Sequence, residues 1–173
     1  MELIQCRYEK HAAQILAILN EAIVSSTALY DYRERSEESM VGWFTAKQKS
    51  NFPVIGLEDA NGILVGFASY GPFRVWPAYK YSVEHSIYIK KEARGTGLGT
   101  RLLTALIEQA KEQGYHLMVG GIDRSNEASV KLHAKLGFAH AGTIHEVGFK
   151  FGAWLDLSFY TLVLPTPISP VDG

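Results

Sequence analysis

The chain has 173 residues, 47% of them hydrophobic and 20% charged, with a formal net charge of −1. That length suits one domain with a sizeable core, and the near-neutral balance excludes a global basic field that would recruit nucleic acid or an anionic membrane. Cys6 is the single cysteine, so no intrachain disulfide forms; the first residues lack the pattern of a signal peptide and no apolar run reaches membrane-span length, so a cytoplasmic protein is expected.

Residues 1–7 alternate weakly and predict a first strand. Residues 12–23 place Ile15, Leu16, Ile18, Leu19, Ala22 and Ile23 on one helical stripe. Ser36 reads as the N-cap of a second helix, with Glu37 and Glu38 in its first turn and Met40, Trp43, Phe44 and Lys47 along it. Residues 53–58 and 63–70 read as strands joined at Asp59-Ala60-Asn61-Gly62, a hairpin signal. Gly66 inside the second strand points to a bulge or a close backbone approach. Residues 71–81 hold Pro72, Phe73, Arg74, Trp76, Pro77, Tyr79 and Tyr81 and read as a shaped aromatic loop.

Residues 83–107 read as three consecutive pieces: a strand over 83–89, a glycine-punctuated turn over 94–99, and a helix over about 97–113. Leu98, Leu102, Leu103, Leu106, Ile107 and Ala110 form the inward face of that helix, and Gly114 stands at its C′ position. A strand over 117–122 follows and contains Gly120-Gly121, odd for a strand centre. A helix over 126–136 is closed by Gly137. Strands over 138–148 and 155–164 then turn through Phe149-Lys150-Phe151-Gly152. Pro165, Pro167 and Pro170 mark residues 165–173 as a frayed tail after a single domain over 1–164. The order β-α-α-β-β-β-α-β-α-β-β predicts an α/β fold with a mixed sheet, antiparallel in its N-terminal part, with a crossover helix and a final hairpin.

A strand feeding a glycine-rich turn at a helix N-terminus is an anion cradle, because unpaired backbone N–H groups and the helix dipole aim at the same point. The turn Gly95-Thr96-Gly97-Leu98-Gly99 is not a Walker loop, since no Gly-Lys-Ser/Thr follows. It is not the dinucleotide fingerprint either, since Thr100 stands where the third glycine belongs. The glycines alone leave phosphate binding and a merely tight turn equally open; Arg94, three residues before Gly97, favours the phosphate.

Arg94-x-x-Gly97-x-Gly99 between a strand and a helix resembles the acetyl-CoA signature of the GNAT (GCN5-related N-acetyltransferase) superfamily. Asn126, Ala128 and Ser129, with Leu136-Gly137-Phe138 ending the helix, resemble the second half of that family's cofactor site. Ser26-Thr27-Ala28, Tyr70-Gly71-Pro72-Phe73-Arg74, the Val83-Glu84-His85-Ser86-Ile87-Tyr88-Ile89 strand, and Gly148-Phe149-Lys150-Phe151-Gly152 with Trp154 and Asp156 are similar to the phosphinothricin and methionine sulfoximine N-acetyltransferase subfamily. The resemblance implies a mostly antiparallel sheet flanked by helices and splayed at the cofactor. It implies acetyl-CoA as donor, its pyrophosphate on the N–H groups of Gly95, Thr96, Gly97, Leu98, Gly99 and Thr100 beside Arg94. It places the pantetheine along Ile87, Tyr88 and Ile89, with Asn126 also at the cofactor. Gly120-Gly121 then suits the gap between strands, or a bulge.

Acetyl transfer to an amine requires a base, a polarised thioester carbonyl and a proton for the leaving thiolate. Glu84 is the candidate base, its pKa raised inside an apolar sheet; a strand glutamate in a surface ion pair is the competing reading. A main-chain N–H of the 87–89 strand is the candidate oxyanion donor. Many relatives carry a tyrosine where this chain has His133, which leaves His133 either as the acid or as packing against pantetheine. Phe73, Arg74, Val75, Val83, Glu84, His85 and Tyr30 are the candidate substrate residues, with Arg74 the partner for a substrate carboxylate. His85 alternates to the sheet face opposite Glu84, and reaches the substrate only if the strand bulges there. Tyr32 and Trp76 are further candidate walls, and His145 and Lys150 further polar candidates. The histidine spacing is not that of a metal site, and no metal is expected. The expected activity is N-acetylation of a small amino acid analogue. A non-catalytic acyl-CoA sensor and a peptide or protein N-acetyltransferase are the alternatives. The apolar terminal hairpin and the resemblance together imply a homodimer.

Overall fold

The computed structural model describes residues 1–172. Its elements are β1 (Glu2–Gln5), α1 (Tyr8–Ser25), α2 (Glu37–Lys49), β2 (Val54–Glu58), β3 (Leu64–Pro72), β4 (Ser82–Ile89), α3 (Leu98–Glu112), β5 (Leu117–Asp123), α4 (Glu127–Lys135), β6 (Ala139–Lys150) and β7 (Ala153–Val163). This is the expected order, a mixed α/β fold. The strands hydrogen-bond in the order β1-β2-β3-β4-β5-β7-β6. The pairs β1–β2, β2–β3, β5–β7 and β6–β7 are antiparallel, and β4–β5 is parallel. Contacts divide the chain into two units, Met1–Ser69 with Ser86–Leu106, and Tyr70–His85 with Ile107–Gly173.

In the first unit, α1 sends Ile15, Ile18 and Leu19 against Met40 of α2 and Val54, Leu64 and Phe67 of the sheet. Spacing of three and four residues puts these side chains on one stripe. Each such buried side chain contributes about 1.5–3 kcal/mol. The helix starts four residues before the predicted residue 12. His11 explains the extra turn: its Nδ1 accepts from Arg7 N–H at 2.8 Å, so its Nε2–H donates to Glu58 at 2.8 Å. Lys10 and His11 together hold the Glu58 carboxyl below the usual carboxylate range. Ser36 does occupy the N-cap position of α2, but its side chain makes no cap bond to the helix.

Gly66 answers to a close approach. A Cβ there would stand 2.5 Å from Ile89 Cδ1 and 2.8 Å from Tyr88 O, and the β2–β3 register also shifts beside it, between Leu57 and Glu58. The hairpin at Asp59 forms as expected, with Asp59 Oδ1 accepting from the N–H groups of Asn61 and Ile63 and Gly62 at φ +73°.

In the second unit, β5 is the axis. It pairs with β7 over seven residues, Leu117↔Val163 to Asp123↔Leu157, and with β4 over four, Ser82↔Leu117 to His85↔Gly120. The β6–β7 hairpin closes through Phe151 and Gly152, both in the left-handed region at φ +51° and +75°, as a two-residue primed turn requires. After Leu164 the chain is bonded at Thr166 and at Val171. His116 Nδ1–H donates to Thr166 O at 2.8 Å, and Val171 N–H donates to Tyr81 Oη at 3.1 Å. Helix α3 runs through both units and buries the six predicted inward residues, and Gly114 at φ +76° ends it.

Candidate active site

Strand β4 carries alternate residues to opposite sides of the sheet, so Val83 and His85 share one face and Glu84 takes the other. Val83 is fully buried in the core and His85 is 7% exposed. Glu84 is half-buried. Its Oε2 lies 3.8 Å from Arg74 Nη1. Burial pushes the Glu84 carboxyl above the usual carboxylate range, and the Arg74 guanidinium partly opposes that shift. Arg74 is itself positioned by Phe73: Nη1 donates to Phe73 O at 2.6 Å and the guanidinium lies 4.1 Å over the Phe73 ring. Carboxylate and guanidinium are thus brought together by adjacent segments of one unit.

The two odd glycines of β5 have separate neighbours. A Cβ on Gly121 would come 3.1 Å from Glu84 Oε1, with Leu157 and Phe159 behind it. A Cβ on Gly120 would come 2.9 Å from His85 Cε1 and 3.2 Å from His133 Nε2. Each glycine leaves room for a side chain of β4, one on each face of the sheet.

On the Gly120 face, His85 and His133 meet with their Nε2 atoms 2.8 Å apart. Phe138 packs edge-on to His133 with centroids 5.1 Å apart, and the Tyr160 ring lies 6.5 Å away. His133, on α4, is 2% exposed. Burial holds it below the usual histidine range; burial and then His133 push His85 down to about 3. Asn126 caps α4, its Oδ1 accepting from Ser129 N–H at 3.1 Å. Before it, Asp123 Oδ1 accepts from Ser125 N–H at 2.9 Å, while Asp123 Oδ2 is buried with no hydrogen-bond partner among the described residues.

The glycine turn lies in the first unit. Gly95 and Gly97 adopt φ +77° and +82°, and nothing stands within 4 Å of where a Cβ would be, so conformation and not space demands glycine there. Thr96 Oγ1 donates to Ala93 O at 2.7 Å. Helix α3 opens at Leu98, and the N–H groups of a helix's first turn have no intrahelical acceptor. Leu98 is buried. Arg94 Nε donates to Ile89 O at 2.9 Å and Nη2 to Glu21 Oε2 at 2.8 Å. The β4–β5 ladder ends at His85, while β4 continues through Ile87, Tyr88 and Ile89. The Tyr88 side chain stacks on Phe67, 5.4 Å between centroids.

Val75 is 86% exposed, and Tyr30, Tyr32 and Trp76 are also exposed. His145 is held by Asp156 at 2.8 Å, and buried Lys150 sits 4.9 Å over the Phe151 ring. The sequence reading missed the His85–His133 contact, Ser129 as its neighbour, and Asp123. Alternation placed His85 correctly, but nothing local to either histidine announces a partner 48 residues away. Among the described residues, no three His, Cys, Asp or Glu side chains group as a metal site, and no helix is long and apolar enough to cross a membrane.

Residues 14–138 match the family model described as the acetyltransferase (GNAT) family. The chain is 43% identical over 157 residues to the L-methionine sulfoximine/L-methionine sulfone acetyltransferase of Pseudomonas paraeruginosa, covering 90% of this chain and 91% of that one. A solved structure from Acinetobacter baylyi ADP1 superposes with a TM-score of 0.98 at 55% identity, over 99% of this chain and 97% of that one. The GNAT superfamily phosphinothricin acetyltransferase of Sinorhizobium meliloti, solved in complex with acetyl-CoA, gives a TM-score of 0.93 at 30% identity over 98% and 91%. The chain belongs to the GNAT acetyltransferase family and is an N-acetyltransferase.

Proposed function

We propose that this protein transfers the acetyl group of acetyl-CoA directly to the amino group of a small amino acid analogue of the methionine sulfoximine or phosphinothricin type, with Glu84 as general base. The observation that carries the reading is the Glu84–Arg74 pair, a carboxylate with a raised pKa 3.8 Å from an anchored guanidinium. Arg74 takes the substrate carboxylate, which sets the α-amino group toward Glu84. Engagement of Arg74 by that carboxylate also removes the charge that lowers the Glu84 pKa, so the base strengthens when substrate binds. The main-chain N–H groups of residues 95–100 hold the pyrophosphate with Arg94, the 87–89 main chain and Asn126 hold the pantetheine, and a strand N–H polarises the thioester carbonyl. His133 serves the return of a proton to sulfur. Relatives named for methionine sulfoximine, methionine sulfone and phosphinothricin support the substrate class.

The test is coenzyme A release with acetyl-CoA against amino acids, sulfoximines, sulfones, phosphinates, polyamines and peptides. Turnover is expected with the amino acid analogues. Turnover of a peptide N-terminus with none of the analogues would replace this reading by a peptide N-acetyltransferase. The protein is further proposed to be a cytoplasmic homodimer. Edge strand β6 exposes Ile144, Val147 and Phe149, and Phe151 and Trp154 extend that apolar surface around the hairpin. A monomeric mass by light scattering would overturn the dimer.

A further inference from the structure

The loop between β3 and β4, which carries Arg74, has little burial of its own: Val75, Trp76 and Tyr79 are all exposed. Its shape rests on a few contacts instead. Phe73 N–H donates to Ser82 O at 3.2 Å and closes the loop at its base. A short 3-10 turn over Pro77–Tyr79 brings the Tyr79 ring nearly perpendicular to that of Phe73, 5.7 Å between centroids. Phe73 in turn holds the Arg74 guanidinium with its ring face and its carbonyl. The place of Arg74 is therefore set by how firmly residues 73–82 are held, and the last side chain before β4 is Tyr81.

Tyr81 is held from outside the loop. Its carbonyl accepts from the N–H groups of His116 and Leu117 at 2.8 and 3.1 Å. Its hydroxyl meets Val171, 90 positions along the chain: Oη accepts from Val171 N–H at 3.1 Å and donates to Val171 O at 3.3 Å. A phenol both donates and accepts, so one residue satisfies it twice. The chain reaches that point by bonding along residues 115 and 116. Leu164 N–H donates to His116 O at 2.7 Å, His116 Nδ1–H to Thr166 O at 2.8 Å, and Thr166 Oγ1 to Tyr115 O. Burial does not explain this course. Leu164 is buried, but beyond it Ile168 is 94% and Val171 65% exposed. Hydrogen bonds hold the segment, and Pro165, Pro167 and Pro170 reduce the backbone entropy lost in ordering it. All of these groups belong to the second unit.

We infer that residues 164–171 are a strap that holds the Arg74 loop, with Tyr81 as a positioning residue for recognition of the substrate carboxylate. The inference rests on the acetyl-transfer reading above, in which Arg74 takes that carboxylate. Tyr81 acts through Phe73 and not on the substrate. The strap fixes Tyr81, and with it the neighbouring Ser82 carbonyl on which Phe73 N–H closes the loop. The guanidinium then waits where the carboxylate arrives, and less ordering remains to be done on binding. With the strap released, Arg74 spreads over more positions, and binding of the amine bears the cost of gathering it. The acetyl-CoA site and the chemical step have no share in that cost, so the effect falls on KM for the amine and spares kcat.

Steady-state kinetics with a carboxylate-bearing amine test the strap on Tyr81→Phe, which keeps the ring and loses only the hydroxyl. KM for the amine should rise about 3- to 10-fold, the worth of an intramolecular hydrogen bond. Both kcat and KM for acetyl-CoA should stay within about twofold. Removal of residues 167–173 should give the same rise, and the two changes together should do no more than either, because both release the same hydroxyl. In an Arg74→Gln background Tyr81→Phe should add nothing, a pattern that a general loss of stability would not give. Unchanged KM in Tyr81→Phe, or an equal further rise in the Arg74→Gln background, would overturn the strap. If the wild-type protein released no coenzyme A with any amine, the acetyl-transfer reading would fail by itself, and hydrogen exchange would decide the strap. The Phe73 and Tyr79 N–H groups should then exchange several-fold faster in Tyr81→Phe than in wild type, and unchanged exchange would overturn it.

Discussion

The glycine turn at residues 94–100 and the twin glycines of β5 use the same residue for opposite reasons. At Gly95 and Gly97 the main chain turns left-handed in open space, and the chemistry proposed there is that of main-chain N–H groups. At Gly120 and Gly121 no left-handed conformation is involved; the missing Cβ makes room for His85 with His133 on one face and for Glu84 on the other. The first region is a main-chain device and the second a side-chain device. They should fail differently when perturbed: the turn in cofactor affinity, the strand in the chemical step.

Glu84→Gln should give the largest effect. Removing a general base costs about 10²–10⁴ in kcat, and acetyl-CoA affinity measured by calorimetry should not change. The pH dependence has a definite sign. The proposed base acts as the carboxylate, so activity of the wild-type protein should rise as pH rises through the raised Glu84 pKa. For stability, a folded pKa above the unfolded one contributes below the unfolded value and is lost as pH rises through the folded one. Glu84 therefore works against folding at neutral pH, and Glu84→Gln should melt no lower than wild type. A lower melting temperature would mean the carboxylate has a structural partner that outweighs its burial.

Arg74→Gln comes next, with KM for a carboxylate-bearing amine rising about 10- to 100-fold, the worth of a charge-assisted hydrogen bond. An amine without a carboxylate should be affected far less. Equal losses for both would show that Arg74 serves Glu84 alone.

Much of this contrast was legible before folding, and the division follows physics. The turn is local: Arg94, its glycines and the helix behind them are consecutive, so spacing showed a glycine turn at a helix start, and the family resemblance supplied the anion proposed for it. Element order followed from periodicity in the same way, and the buried stripe of α3 contained the six residues that its spacing picked out. Glu84 was reachable through strand alternation and the family resemblance. The histidine pair was not, because His85 and His133 belong to a strand and a helix whose packing only the fold determines. Gly120-Gly121 signalled that something unusual lay there, but a glycine reports an absence of volume and not what fills it.

Gly120→Ala and Gly97→Ala separate the two uses of glycine. The alanine at 120 must push two buried aromatic rings, those of His85 and His133, an overpacking cost of about 1–3 kcal/mol, and should lower kcat. The alanine at 97 meets no atom and costs about 1–2 kcal/mol for its left-handed backbone. It should weaken acetyl-CoA binding and leave kcat at saturation near wild type. Chemical denaturation with paired binding and turnover measurements distinguishes them; loss of kcat in Gly97→Ala would blur the division.

The smallest expected effect lies at Glu21. Its carboxylate accepts from Arg94 Nη2 at 2.8 Å, with both side chains substantially exposed, and such pairs are worth about 0–1 kcal/mol. Glu21→Gln should therefore shift stability by less than about 1 kcal/mol. Its consequence is electrostatic: the same guanidinium is proposed to neutralise a pyrophosphate, and a neighbouring carboxylate would both compete for it and repel the incoming anion. Removing that charge should tighten acetyl-CoA binding by a few-fold at low salt, about 0.5–1 kcal/mol, and the gain should shrink as ionic strength rises. Unchanged affinity at low salt would place Arg94 outside the cradle's electrostatics, leaving the main-chain N–H groups of the turn to hold the anion alone.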